Sequence, residues 1–178
     1  MKTLPRKQAN DLWQKWWGEM RNEWFKVEVL QDYYGEDAGP SLDYWLKGDK
    51  KRSINLIKAA DYSKWVEDCR KKLEQGVRLT RMHIVEEPYS PYIEWELEHY
   101  KYVNIPKCGE EIYLVNRLEF KDSGLPSGDL MIFDKKRAVV NKYNSRGRMT
   151  HQSFYDETDK IGRFLELRKT LMERAQPL

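Results

Sequence analysis

The sequence has few cysteines and no long apolar segment. Cys69 and Cys108 are its only two cysteines, and neither belongs to a CxxC pair, so the pattern predicts reduced thiols and argues against a disulfide framework or a zinc site. No stretch approaches the roughly 18 apolar residues of a transmembrane helix. Residues 1–7 also lack the apolar core of a signal peptide. We therefore expect a cytoplasmic protein without membrane contact.

An excess of charge of one sign is also missing. The chain carries 32 basic and 29 acidic residues, for a net charge of +3, which is far from the footprint of a dedicated nucleic-acid binder. The basic runs Lys50–Arg52 and Arg70–Lys72 lie near Trp45 and Trp65, a combination that suits single strands. Acidic residues are nevertheless interleaved throughout, and the sequence argues against a nucleic-acid partner.

The motifs of familiar enzyme classes are absent. The chain has no GxSxG, P-loop, GxGxxG or HExxH motif. His99 and Lys101 have the HxK spacing of phospholipase D-type phosphodiesterases, but Pro106 stands where that motif has an aspartate. We therefore predict no catalytic residue, no cofactor and no metal, and the sequence favours binding over catalysis without deciding between them.

Aromatic residues, in contrast, are plentiful. Six large apolar residues spaced three or four apart predict an amphipathic helix over about 10–24 with one buried face: Leu12, Trp13, Trp16, Trp17, Met20 and Trp24. A partner surface is the other use of such a stripe. Apolar and charged residues then alternate from Phe25 to Val29, which predicts a short strand.

The order of predicted elements indicates an α/β protein of the mixed α+β kind. A helical N-terminal part, about 1–75, precedes a β-α-β-β-β-β-α core over about 76–178, and the two form one domain. Strand, helix and strand in succession predict a parallel pair, and the last three strands predict an antiparallel meander. Gly- and Pro-containing segments at 35–40 and 124–128 predict loops.

Two pairs of carboxylates are open to chemical interpretation. Glu94 and Glu98 are four residues apart on one predicted helix, a spacing that allows acid–base chemistry or a divalent ion but also occurs on ordinary solvated faces. Asp129 and Asp134 are five residues apart around an apolar strand, so they point to opposite faces. Each is expected to belong to a turn and to cap local backbone groups there.

The clearest candidate site lies where a strand leads into a helix. Residues 77–85 read as a strand, and Ser90 followed by Pro91 is a specific helix start. Ligands in open α/β sheets bind at such a crevice. We predict an amphipathic pocket for an anionic ligand there, formed by Arg81, Tyr92, Trp95, Glu96 and Arg117.

Several short motifs occur in a characteristic order: Glu28–Tyr33, Gly76–Arg78, Glu87–Glu96, Gly109–Ile112, Arg117, Leu125–Asp134 and Ala175–Pro177. From about residue 20 to 178 the chain thereby resembles an uncharacterised, mostly actinobacterial family of small proteins, known only as a domain of unknown function. Its members look like gene neighbours of XRE-type helix-turn-helix regulators. This resemblance implies a regulatory or accessory role.

Together these observations predict a non-catalytic cytoplasmic regulatory or accessory protein. It would bind a small anionic ligand or a helix-turn-helix regulator, and its oligomeric state stays open. The alternative is a divergent hydrolase or phosphodiesterase, because the predicted β-α-β-β-β-β-α order loosely resembles one half of a phospholipase D-like domain.

Overall fold

The computed structural model describes residues 1–33, 39–60, 63–120, 125 and 127–178. Residues 35–38, 124 and 126 of the two predicted loops lie outside these residues, and residues 39–40, predicted as loop, begin a helix. Within the described residues, eight strands form one sheet: β1 (Lys2–Pro5), β2 (Glu23–Glu28), β3 (Arg78–Val85), β4 (Glu111–Asn116), β5 (Leu130–Phe133), β6 (Arg137–Tyr143), β7 (Met149–Tyr155) and β8 (Gln176–Pro177).

Seven α-helices accompany the described strands: α1 (Arg6–Glu19), α2 (Gly39–Leu46), α3 (Lys50–Ala59), α4 (Ser63–Glu74), α5 (Pro91–His99), α6 (Ile105–Cys108) and α7 (Thr158–Met172). Ser90 caps α5, because its Oγ accepts a hydrogen bond of 3.1 Å from the backbone N–H of Ile93. This confirms the helix start predicted from Ser90 and Pro91. The π-helical turn Tyr100–Asn104 joins α5 to α6, and the 3-10 turn Arg117–Phe120 follows β4.

The strand order is β1-β7-β6-β5-β2-β3-β4-β8. β3 is parallel to both β2 and β4, and every other neighbouring pair is antiparallel. A parallel pair needs a crossover connection; α2, α3 and α4 supply it between β2 and β3, and α5 and α6 between β3 and β4. The predicted mixed sheet and the predicted element order from β3 to α7 are both confirmed.

The sheet is buried on both faces. Even-numbered residues of β2 and odd-numbered residues of β5, such as Trp24 and Met131, join a core formed with α1 to α5. Residues of the other parity, such as Phe25 and Ile132, pack against α7. The strands therefore carry apolar side chains in both directions, but the α1–α6 face also carries polar groups, and these define the site.

The N-terminal helix begins and ends earlier than the tryptophan spacing predicts. α1 ends at Glu19, and Trp24 belongs to β2. Asp134 causes this early end, because its carboxylate accepts hydrogen bonds from the backbone N–H groups of Arg21, Asn22 and Glu23 at 2.9, 2.6 and 3.0 Å. Those bonds hold the chain extended after α1. Asp134 does lie in the turn after β5, but its carboxylate binds backbone groups more than 110 residues away and not the local ones expected for it.

Candidate functional site

A cleft of about 890 Å³ opens between the start of α1 and the β6–β7 hairpin. Its lining includes Arg6, Lys7, Trp13, Met131, Asn141, Arg148, Thr150 and Gln152. The cationic residues come from the first turn of α1 and from the hairpin, and the polar floor comes from β6 and β7. The site therefore combines a helix start with two neighbouring strands.

The charged side chains among the described lining residues of the cleft are all positive. Arg6, Lys7 and Arg148 are exposed, and the described lining residues include no carboxylate. Guanidinium groups match the geometry of phosphate and carboxylate oxygens, and an ammonium group adds a compact positive charge. The half-buried ring of Trp13 adds an apolar wall that stacks on Trp17 at 5.3 Å. The cleft suits an anion that carries an apolar or planar substituent.

A chain of hydrogen bonds leads from the cleft floor into the sheet. Gln152 Nε2 donates to Asn141 Oδ1 at 2.8 Å, and Asn141 Nδ2 donates to the Tyr143 hydroxyl at 3.2 Å. Tyr143 in turn donates to Asp129 Oδ2 at 2.6 Å. In each of these hydrogen bonds the donor lies on the cleft side, so Asp129 is the final acceptor.

Asp129 is only 1% exposed. Its other oxygen accepts from the Tyr33 hydroxyl at 2.6 Å and from the Val29 N–H at 3.2 Å. Burial raises the pKa of this carboxyl, although Tyr143 and Tyr33 donate to it. A carboxylate with a raised pKa, connected to a cleft through the Tyr143 hydroxyl and the Asn141 amide, is a candidate general base.

Gly128 places Asp129 beside the cleft strands. A Cβ atom at this position would lie 1.8 Å from the carbonyl oxygen of Asn141, so only glycine lets the two backbones approach. The Asn141 N–H then donates to the Asp129 carbonyl at 2.8 Å. This close approach brings the Asp129 side chain within reach of Tyr143.

A second group of polar side chains is buried beneath α5. Arg81 of β3 donates to Glu110 at 2.6 and 3.2 Å and to Glu28 of β2 at 2.9 Å. Lys26 also pairs with Glu28, and Asn104 Nδ2 donates to Glu110 at 2.9 Å. The neighbouring carboxylates raise the pKa of Arg81 even though its burial opposes this. Arg81 therefore connects two strands inside the core.

His83 lies at the centre of this group and is fully buried. Its Nε2 is 2.9 Å from the carbonyl oxygen of Leu30, and its Nδ1 is 3.0 Å from the Tyr100 hydroxyl. Burial lowers its pKa, against the opposing effect of Glu28, so the imidazole is neutral at pH 7. Glu96 Oε2 lies 3.3 Å from Nδ1, but it is not aligned for a hydrogen bond.

The five residues predicted to form a pocket divide between two environments. Arg81, Tyr92, Trp95 and Glu96 lie beneath or within α5, where the rings of Tyr92 and Trp95 are buried and 5.4 Å apart. Arg117 instead follows β4, pairs with Glu86 and donates to the carbonyl oxygen of Val29. The two arginines thus have separate partners.

The other candidates have ordinary structural partners. Glu94 pairs with Lys50 at 2.9 Å. His99 ends α5, and its Nδ1 is 3.1 Å from the Asn104 side-chain oxygen. Cys69 and Cys108, which are far apart in sequence, are both buried and share a hydrogen bond between their thiols. The sequence offered no sign of that contact, because α4 and α6 meet only in the folded chain.

The sequence alone did not predict this cleft. Its cations come from residues 6–7 and 148, more than 140 residues apart in the chain. One signal was present: the polar residues Asn141 and Gln152 occur at positions of β6 and β7 where alternation predicts an inward side chain. Polar residues on an inward face indicate a site more often than a core.

The family of the chain follows from its sequence match. A family model described as a domain of unknown function, DUF6879, matches residues 11–178. The chain belongs to the DUF6879 family. Comparison with curated proteins finds no match.

Solved structures add a likeness in fold. The DUF6879 chain is similar to NucT from Helicobacter pylori, with a TM-score of 0.53 at 10% identity over 99% of this chain and 98% of the other. It is also similar to Nuc from Salmonella typhimurium, a phospholipase D family member, with a TM-score of 0.51 at 10% identity over 99% and 96%. TrmBL2, an archaeal chromatin protein with a novel mode of DNA binding, gives 0.50 at 13% over 99% and 54%. The DUF6879 chain thus spans about half the length of TrmBL2.

These likenesses correct the function predicted from sequence. The prediction of a non-catalytic regulatory or accessory protein, binding a small anionic ligand or a helix-turn-helix regulator, is wrong, because the chain is similar in fold to NucT and to Nuc, a phospholipase D family member. The alternative, a divergent hydrolase with a phospholipase D-like core, agrees better with this finding. Among the described helices, none has the length and apolar character needed to cross a bilayer.

Proposed function

We propose that the DUF6879 chain is a divergent hydrolase that acts on phosphodiesters in the cleft between α1 and the β6–β7 hairpin. The observation that carries this proposal is the charge of the cleft, where Arg6, Lys7 and Arg148 meet without a carboxylate in the described lining. The similarity in fold to NucT and to Nuc supports the same class of chemistry.

Substrate binding uses the cations at the cleft mouth. Arg148 and Lys7 bind the non-bridging phosphate oxygens, since these oxygens carry the single negative charge of a phosphodiester. Trp13 contacts one of the two ester substituents. The amide groups of Asn141 and Gln152 face the same space and fix the orientation of the phosphate.

Hydrolysis then needs a group that accepts a proton from water. The half-buried Tyr143 hydroxyl, to which Asn141 of the cleft floor donates, accepts the proton of the attacking water while it passes its own proton to Asp129, along the hydrogen bond of 2.6 Å. The water oxygen forms a bond to phosphorus as the bond to the leaving alkoxide breaks. The alkoxide takes a proton from solvent, and Arg148 stabilises the negative charge that develops on the phosphate oxygens.

This mechanism does not use histidine. The described cleft lining includes none of His83, His99 and His151. His151 lies on β7 between Thr150 and Gln152, so alternation directs it to the opposite face of the sheet. Proton transfer is therefore assigned to the Asp129 carboxylate and the Tyr143 phenol. The proposed hydrolase is divergent because its mechanism does not rely on histidine.

The test measures turnover of three phosphodiesters by the purified chain: bis(p-nitrophenyl) phosphate, labelled single- or double-stranded DNA, and phosphatidylcholine vesicles. The DNA and lipid arms distinguish the two natural sources of a phosphodiester. Arg148→Gln is compared with Arg146→Gln, a matched control because Arg146 is exposed in the same hairpin but does not line the cleft.

We expect Arg148→Gln to lower kcat/KM on at least one substrate by about 10-fold or more, equivalent to the loss of about 1.4 kcal/mol of transition-state stabilisation. Arg146→Gln should leave it unchanged. Asp129→Asn should abolish turnover in protein that still unfolds cooperatively. Absence of turnover on all three substrates, or equal effects of the two arginine variants, would refute the proposal.

A further inference from the structure

The side chains of Glu28, His83 and Glu96 converge beneath α5. One ligand-type atom from each lies within 4.8 Å of the corresponding atoms of the other two. The three residues come from β2, β3 and α5, so two adjacent parallel strands and the helix that crosses them hold the cluster. Glu28 and His83 are paired in register across the two strands.

The hydrogen bond to Leu30 fixes the tautomer of His83. A carbonyl oxygen only accepts hydrogen bonds, so Nε2, at 2.9 Å from it, carries the hydrogen atom. In the neutral ring Nδ1 then carries the lone pair, which faces the Tyr100 hydroxyl at 3.0 Å and Glu96 at 3.3 Å. The one hydrogen atom of that hydroxyl is donated to Glu28. An imidazole oriented by a carbonyl through its other nitrogen is the usual state of a metal ligand.

Glu96 faces this lone pair without a hydrogen-bond donor of its own. Its Oε2 atom is buried and has no hydrogen-bond partner among the described residues. An unpartnered buried carboxylate oxygen is costly, because burial removes its water without replacing it. The arrangement lacks a positively charged group between Glu96 and His83.

The charges around the cluster also indicate that a positive charge is missing. Four buried carboxylates, those of Glu28, Glu96, Glu110 and Asp129, interact in this region with Lys26 and Arg81. Four negative charges against two positive charges leave two in excess when all are ionised. One divalent cation supplies that balance; the alternative is that protons occupy two of the carboxyl groups.

We propose that Glu28, His83 and Glu96 bind a divalent transition-metal ion. One imidazole nitrogen and two carboxylate oxygens suit Zn²⁺, Mn²⁺ or Fe²⁺, whereas Ca²⁺ and Mg²⁺ prefer oxygen alone. Tyr100 donates to Glu28 Oε2 at 2.5 Å and orients that ligand. Tyr100 belongs to the π-helical turn after α5, and such turns are frequent at functional sites.

A neighbouring cluster offers a competing set of ligands. Cys69, Cys108 and Glu110 also lie within 4.8 Å of one another. Both oxygens of Glu110, however, already accept hydrogen bonds from Arg81, and one also accepts from Asn104. Glu28 also accepts through both oxygens, from Lys26, Arg81 and Tyr100. Glu96, however, keeps an oxygen that has no partner among the described residues, so the histidine-centred cluster is the better metal site.

The experiment refolds the full chain from denaturant with Zn²⁺, Co²⁺ or Mn²⁺, because the buried ligands are accessible while the chain is unfolded. After desalting, the metal content is measured by mass spectrometry, and Co²⁺ protein is also examined by visible absorption. Three variants accompany the natural chain: Glu96→Gln, Glu98→Gln as a control on the same helix, and the Cys69→Ser/Cys108→Ser double variant.

We expect about one metal ion per chain in the natural protein, in Glu98→Gln and in the double serine variant. Glu96→Gln should lower the affinity by about 10- to 100-fold or more while remaining folded, since glutamine keeps the shape of the side chain. Less than a tenth of an equivalent in the natural chain would overturn the proposal. Undiminished binding by Glu96→Gln, or loss of binding in the serine variant, would also overturn it.

Discussion

Tyr143 donates a hydrogen bond of 2.6 Å to Asp129, a carboxylate that solvent does not reach. Asn141 of the cleft floor donates to the same Tyr143 hydroxyl and so connects the pair to the cleft. Tyr143 and Asp129 lie at the ends of neighbouring strands, where the sheet loses its regular pairing and side chains take over the hydrogen bonding. Substitutions at this pair are therefore expected to affect both the chemistry proposed for the cleft and the stability of the sheet.

Tyr143→Phe should destabilise the protein by about 1–3 kcal/mol, because a buried carboxylate loses one of its donors. The variant should also lose turnover if the proposed proton transfer operates. Chemical denaturation gives the first result and the phosphodiester assay the second. Tyr155→Phe is the control, because Tyr155 is also half-buried but its ring packs against Phe164, away from Asp129. Equal stability of the two variants would contradict the role assigned to Tyr143.

Asp134→Asn tests the end of α1. Partial burial raises the pKa of Asp134, but three backbone N–H donors outweigh this and lower it overall. A lowered pKa stabilises the folded chain above the unfolded value, and that contribution is lost as the pH falls through the folded value. Asparagine tolerates the positive φ of 53° at this position.

We therefore expect Asp134→Asn to cost about 1 kcal/mol at pH 7, in line with a partly exposed charge-assisted hydrogen bond. The difference from the natural chain should shrink below about pH 4, where the reference carboxyl of aspartate protonates. Urea denaturation across this range gives the result, with Asp11→Asn on the exposed face of α1 as control. A difference that does not change with pH would exclude the charge as its cause.

Gly128→Ala should destabilise by about 3 kcal/mol, at the upper end of overpacking effects, because the atom that the new methyl group meets belongs to the backbone. Gly162→Ala is the opposite case. No atom lies within 4 Å of a Cβ at this position in α7, and alanine should stabilise the helix by about 0.5–1 kcal/mol. Thermal denaturation of both variants tests the contrast, and destabilisation by Gly162→Ala would contradict it.

Trp16→Ala should cost about 3–5 kcal/mol, the usual range for a buried tryptophan. Trp16 is 7% exposed, and its ring meets Phe133 and Phe154 edge-on at 6.2 and 5.1 Å. Trp13→Ala should cost less, because Trp13 is only half-buried. Denaturation measured by fluorescence of the remaining tryptophans gives both values. A larger loss of unfolding free energy for Trp13→Ala than for Trp16→Ala would contradict the assignment of Trp16 to the core and Trp13 to the cleft wall.

Ser90→Ala should cost about 1 kcal/mol through loss of the α5 cap. The hydroxyl also donates to the Gln31 carbonyl at 2.7 Å, so the effect should not fall below that of a simple cap. Ser145→Ala, in the exposed β6–β7 hairpin, is the control. Equal stability of the two variants in urea would indicate that the cap contributes nothing.

Local signals predicted much of the fold correctly. The Ser90–Pro91 helix start needed only residues a few positions apart, and the same holds for the order of elements from β3 to α7. Trp24 shows where such signals fail. Its spacing continues the helical stripe, but α1 ends because backbone N–H groups bind Asp134, more than 110 residues away. Propensity and spacing cannot reveal a partner at that distance.

The site was harder to predict for the same physical reason. Arg81 was recognised as an inward arginine, but its partners Glu28 and Glu110 are 53 and 29 residues away, so a sequence cannot distinguish an internal ion pair from a ligand clamp. Asp129 was expected to serve a turn, because the tyrosines that bind it come from distant segments. In each case the sequence showed which kind of interaction the side chain can make. It did not show which residue is the partner, because that depends on the fold.

The pairing of β1 with β7 has a consequence for how the protein is made. Residues 2–5 pair with residues 151–154, so β1 has no neighbouring strand until β7 has also been translated. At about 5–20 residues per second, this delay lasts on the order of ten seconds. During it the unpaired strand is an exposed edge, and its lysine and proline make it a poor template for association with other chains.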